Sequence, residues 1–166
     1  MTVARARHAT RLQFLVLGVA AGTWGTHIPS VSARYSLSDM TLSMVLLAVA
    51  AGTVSALLVA GRVIARIGAR NTAAVCGLAM GLSLCFVLEY PGLTALVLPA
   101  VLFGACLSLF DVAINTEGSE LETLGGRPVM SNLHGMFSGL RFGGSAFAFL
   151  SEHRATHFYQ RNQILT

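Results

Sequence analysis

The sequence predicts an all-α, polytopic helical membrane protein with about five transmembrane helices. Three observations carry that prediction. Hydrophobic residues make up 54% of the 166-residue chain and charged residues only 11%, with a mean hydropathy of +0.69. A soluble domain carries about 25% charged residues, and a chain this short buries only about two thirds of its surface. No water-soluble fold would hide so much apolar area. Apolar runs also recur at bilayer-crossing length, at about 12–33, 40–60, 72–88, 93–115 and 128–150. Finally, all eleven basic residues are arginines, the net charge is +4, and these arginines sit at the ends of the apolar runs. That is the membrane-orientation pattern. A nucleic-acid partner would need a basic face with exposed aromatics, so none is expected; the first partner is the lipid bilayer.

Met1–Arg11 carries Arg5, Arg7 and Arg11 and no acid. A secretory signal shares this charged start, but the apolar core Leu12–Ile28 is long and more spans follow. It reads as a first span with the amino terminus inside. Gly18, Ala20, Ala21, Gly22 and Gly25 give it a small side, on which a neighbouring backbone can come close. Trp24, His27 and Pro29 cluster near its outer end. Trp24 suits the interface through its amphipathic ring. His27 is either interfacial or, as an ionisable group near membrane depth, a site candidate.

Pro29–Asp39 reads as a short outer loop, with Ser38 as N-cap of the next helix. The second span, about Met40–Ala60, is again rich in small residues. Gly61–Asn71, reading G-R-V-I-A-R-I-G-A-R-N, holds three arginines and no acid. As a short basic connection between two spans, it is expected on the cytoplasmic side with its two spans antiparallel. The third span returns outward over about Thr72–Leu88, and Glu89-Tyr90-Pro91-Gly92 is a turn.

The fourth span starts near Leu93 and stops being apolar at Asp111, followed by Asn115, Glu117, Glu120 and Glu122. At 100° per residue, Gly104, Ser108, Asp111, Asn115 and Glu122 share one face. A carboxylate at membrane depth is costly unless it faces the bundle interior or a wet cavity, so Asp111 and Asn115 are the leading intramembrane polar candidates. The competing reading is that the helix has already reached the cytoplasm there. Glu117, Glu120 and Glu122 read as a solvated helix end. Gly125-Gly126-Arg127-Pro128 closes that helix, and Pro128 can open the fifth. The fifth segment contains Asn132, His134 and Arg141 and suits a helix facing a polar interior, at least to Ser138. Histidine changes charge near neutral pH, which suits a proton-coupled site; packing explains His134 equally well. The chain thus divides into a helical bundle, 1–150, and a polar tail, 151–166, whose Arg154 and Arg161 fit mildly against the positive-inside bias.

Cys76, Cys85 and Cys106 all lie inside apolar runs and form no metal-ligand spacing, so they read as small buried filler. No metal and no cofactor is expected. The sequence contains no H-E-x-x-H, C-x-x-C, Walker loop or G-x-S-x-G, and an enzyme is not expected.

The Gly61–Asn71 stretch resembles the G-x-x-x-D-R/K-x-G-x-R/K-R/K pattern that transporters of the major facilitator superfamily carry between their second and third helices. Gly61, Arg66, Gly68 and Arg70 match in register; Ala65 stands at the acidic position and Asn71 at the last basic one. The segment D-V-A-I-N-T-E-G-S-E-L-E, followed by G-R-P-V-M-S-N-L-H-G-M-F-S, is similar to the fourth-to-fifth-helix region of a bacterial branch of that superfamily. The resemblance runs from about Arg11 to Ser138. It implies the N-terminal part of a fold of twelve helices in two halves with substrate between them, and on this reading the chain is an incomplete half. It also implies alternating access with a small-molecule substrate, coupled to protons, in a bacterial inner membrane. Asp111, Asn115 and His134 would be the substrate or proton site, with His27 near the outer mouth. The acid of the family's loop takes part in a charge contact that holds one gating state, and Ala65 cannot make it. The alternative reading is a non-transporting membrane scaffold or a degenerate remnant. A small multidrug pump of short chains would carry an acid in its first span, and this chain has none there.

Overall fold

The computed structural model describes residues 3–87, 89–125, 130–135 and 137–139. Arg141 and the tail 151–166 lie outside the described residues. Four helices follow one another: α1, Val3–Arg34; α2, Asp39–Ile67; α3, Ala69–Cys85; and α4, Leu93–Gly125. Residues 130–135 and 137–139 are also helical, and no strand occurs among the described residues. Three stretches, Arg5–Arg34, Asp39–Ile67 and Leu93–Gly125, are long and apolar enough to cross a membrane. At 17 residues, α3 rises about 25 Å and lies at the lower limit of spanning length, about 17 residues. The chain is an all-α, multi-pass membrane protein.

The helices reach further than the apolar runs. α1 begins in the basic segment and continues through Pro29 to Arg34. Pro29 leaves a carbonyl one turn upstream without its usual amide donor, and the turn before it is reinforced from side chains. Thr26 Oγ1 donates to the Thr23 carbonyl at 2.9 Å, and His27 Nδ1 reaches the same oxygen at 2.9 Å. The helix closes at Ser36, which takes φ 49°. Leu37 N donates to Ser32 O at 2.9 Å and Ser36 N to Ala33 O at 3.3 Å, the paired bonds of a Schellman end. The connection expected over 29–39 therefore shrinks to residues 35–38. Ser38 caps α2 as expected, its hydroxyl accepting from Thr41 N.

The largest departure concerns Gly61–Asn71. It is helical except at Gly68, where one residue at φ 83°, ψ 151° reverses the chain. Gly68 N donates to Ile64 O at 2.8 Å, Asn71 Nδ2 to Ile67 O at 2.9 Å, and Thr72 Oγ1 to Gly68 O at 2.8 Å. Arginine is a good helix former, so a run of arginines marks the end of an apolar stretch without ending the helix. Glutamate behaves alike: α4 runs through Glu117, Glu120 and Glu122 to Gly125.

α4 is the centre of the bundle, touching α2 most extensively, then α3 and α1. Two glycines bring α2 and α4 together. A Cβ on Gly52 would strike the Val101 carbonyl, and one on Gly104 would strike the Val49 carbonyl. Thr53 Oγ1 sits at this crossing, within 3.0 Å of Val49 O and 3.2 Å of Gly104 O. On the other side, Phe14, Met80, Phe103, Phe110 and Ile114 form the main buried cluster. A second cluster of Val31, Val45, Val87 and Leu96 closes the opposite end, where Tyr35 Oη donates to Val87 O at 3.0 Å. Leu47, Leu58, Val75, Leu78 and Leu98 are exposed, as lipid-facing side chains should be. Among the cysteines, Cys76 is buried, Cys106 half-buried and Cys85 exposed; Cys85 is thus not the buried filler expected, because it ends α3 on an outer face.

Candidate solute-binding cavity

A cavity of about 490 Å³ opens between α1, α2, α4 and the fifth helical segment. Each wall comes from one helical stripe. α1 contributes Phe14, Leu17, Ala21 and Trp24; α2 contributes Thr53 and Leu57; α4 contributes Ser108, Asp111 and Asn115; His134 and Phe137 face them from the fifth segment. The spacings are the three- and four-residue steps of a helix face.

Three of the residues singled out in the sequence, Asp111, Asn115 and His134, line this one cavity. Asn115 Nδ2 donates to Asp111 Oδ1 at 2.8 Å and to the Asp111 carbonyl at 2.9 Å. Both amide protons are then used, and the carboxylate is held in one orientation. His134 Nδ1 lies 3.1 Å from Met130 O. A carbonyl only accepts, so Nδ1 carries the proton and Nε2 is left as the working nitrogen. Its ring packs on Phe14, centroids 5.6 Å apart.

His27 is not in this cavity. It lies one turn beyond Trp24 with Nδ1 bonded to Thr23 O. Trp24 packs on Phe103 with centroids 5.2 Å apart and forms part of the cavity wall. The i, i+3, i+7, i+10 spacing of Phe14, Leu17, Ala21 and Trp24 is the signal that would have placed it there.

Two further residues escaped the sequence reading. Glu122 Oε2 accepts from Met130 N at 3.0 Å, so the carboxylate caps the fifth helical segment. Gly118 makes room for that segment: a Cβ there would lie 2.7 Å from Met130 Sδ and 3.3 Å from Leu133 Cδ1. Together they seat the segment that carries His134. A solvated helix end does not describe Glu122.

The stretch holding Gly61, Arg66, Gly68 and Arg70 lies elsewhere. Gly61 has open space around it and Arg66 is exposed in the last turn of α2. Arg70 lines a smaller cavity, about 220 Å³, with Gln13, Glu117 and Glu120. The acids of α4 thus stand beside the basic start of α3, where Ala65 supplies none. No group of three or more His, Cys, Asp or Glu able to hold a metal occurs among the described residues.

The chain is similar to three bacterial membrane proteins. It is 33% identical over 132 residues to an uncharacterized MFS-type transporter of Yersinia pestis. It is 31% identical over 125 residues to the uncharacterized transporter y4wD of Sinorhizobium fredii, and 32% over 130 residues to the membrane protein MosC of Rhizobium meliloti. These alignments take in 75–78% of this chain and 32–34% of each relative. The chain therefore spans about a third of the length of the curated relatives it matches. No family model matches it, and no solved structure matches it significantly.

Proposed function

We propose, for a chain that belongs to the major facilitator superfamily, that it moves a small solute across the bacterial inner membrane by alternating access, coupled to protons. The observation that carries this is the placement of Asp111, Asn115 and His134 on one cavity between membrane-length helices. An ionisable pair at that depth is expensive unless it serves an ion or substrate path. In alternating access, a bundle of this kind rocks around a site near mid-membrane. The residues divide the work. Asn115 holds the Asp111 carboxylate still, Asp111 takes and releases the proton, and His134 Nε2 stands opposite as a second proton acceptor.

The test uses sealed membrane vesicles containing the chain, loaded with a pH-sensitive dye and offered a panel of sugars, polyols and amino-polyols. A solute that is carried should change the interior pH as it crosses. Asp111→Asn should abolish that proton movement. Unchanged proton movement in Asp111→Asn would remove the coupling role.

A further inference from the structure

We infer that the cavity selects a solute bearing a primary ammonium group; this rests on the solute-transport reading above. The argument is a count of hydrogen-bonding capacity. Asn115 spends both amide protons on Asp111, at 2.8 and 2.9 Å, and keeps only its carbonyl oxygen for a ligand. The bond to Oδ1 leaves Asp111 Oδ2 accepting nothing among the described residues. Thr53 has one hydroxyl proton, and it is engaged with Val49 O or Gly104 O, so toward the cavity Thr53 can only accept. His134 spends its Nδ1 proton on Met130 O, so neutral His134 offers a lone pair at Nε2.

The wall is therefore rich in acceptors. Its uncommitted donors among the described lining residues are the Ser108 hydroxyl and the Trp24 indole N–H, and neither lysine nor arginine is among them. An anionic solute would find a carboxylate and few donors. A neutral polyol would satisfy part of the wall and leave the carboxylate unpaired. An ammonium group brings three donors and a charge opposite to that of Asp111. The faces of Trp24, Phe14 and Phe137 add the ring surfaces on which a cation is held. At about 490 Å³ the space admits a six-carbon skeleton with room for water.

The chain has a single tryptophan, and that residue is in the cavity wall. Its fluorescence in the purified full chain in detergent is a direct reporter. Three probes share one skeleton and differ at one end: glucamine with an ammonium, glucitol with a hydroxyl, and gluconate with a carboxylate. Glucamine should change Trp24 emission saturably and bind at least about tenfold more tightly than the other two, as a charge-assisted hydrogen bond implies. Asp111→Asn should erase the preference, and Asp111→Glu should keep part of it. Glucitol or gluconate binding as tightly as glucamine overturns the inference, as does a glucamine preference that survives Asp111→Asn, or no saturable response to glucamine. Saturable glucamine binding without uptake in vesicles counts against transport and leaves the ligand class standing. Uptake of glucitol or gluconate in preference to glucamine does the reverse.

Discussion

Gly61 and Gly68 match the same family pattern, yet they serve different physical ends. Gly68 sits at φ 83°, ψ 151°, a region essentially reserved for glycine, where a side chain costs of order 1–3 kcal/mol. Gly61 is inside a helix with nothing near it; alanine there removes a flexible residue and should be neutral or stabilising by up to about 1 kcal/mol. Melting curves of Gly68→Ala and Gly61→Ala in detergent should therefore move in opposite directions or differ clearly. Equal melting temperatures would show that the α2–α3 reversal does not depend on its backbone angle. Glu122 makes a second prediction at this scale. Its carboxylate caps Met130 N, and losing such a cap costs about 0.5–2 kcal/mol. Glu122→Ala should speed hydrogen exchange across 130–135, while Glu120→Ala should not. Identical protection in the two variants would mean the cap does not hold the segment that carries His134.

At the scale of elements, the α2–α4 pair decides the shape of the cavity. Gly52 and Gly104 each oppose a carbonyl of the other helix, those of Val101 and Val49, so the contact is backbone against backbone. The main chain cannot move aside as a side chain can. Gly52→Ala and Gly104→Ala should each destabilise by about 1–3 kcal/mol, whereas Gly81→Ala, which meets nothing, should not destabilise. Heat-induced aggregation in detergent separates them, and a silent Gly104→Ala would refute the close crossing. This contact also shows what the sequence could and could not reveal. The small residues of α2 and the polar face of α4 are plain from periodicity, and so are the three helices of spanning length, while most of the fifth expected span, 128–150, lies outside the described residues. Which small residue meets which carbonyl depends on the crossing of two helices, which no local pattern encodes. The same holds for Trp24. Its ring is amphipathic enough for an interface, and only its register with Phe14, Leu17 and Ala21 places it on the cavity. The end of α4 at Gly125 agrees with its glycine-proline signal, whereas 61–67 reads as a boundary and is helical, because arginine ends an apolar run without ending a helix. Pro29 misled likewise, since its missing amide did not stop α1.

For the molecule as a whole, the two ends of the bundle carry different charge. The start of α1, the end of α2, the start of α3 and the end of α4 gather at one end, where Arg70 shares a cavity with Ala6, Thr10 and Glu117. Arg5, Arg7, Arg11, Arg62, Arg66 and Arg70 all belong to this end, and Arg34 alone among the described arginines lies at the other. Arginines near span ends fix orientation, and acids weigh little against them. Glu117, Glu120 and Glu122 therefore do not cancel the bias, and the arginine-rich end should face the cytoplasm. The turn 89–92 and the connection 35–38 should then face outward. Single cysteines at Glu89 and Arg66, in a background with Cys76, Cys85 and Cys106 replaced by serine, test this with a membrane-impermeant maleimide on intact cells. Glu89→Cys should label at once, and Arg66→Cys only after the membrane is opened. If Arg66→Cys labels from outside and Glu89→Cys does not, the bundle is inverted. Protons taken up at Asp111 would then have to enter from the opposite face.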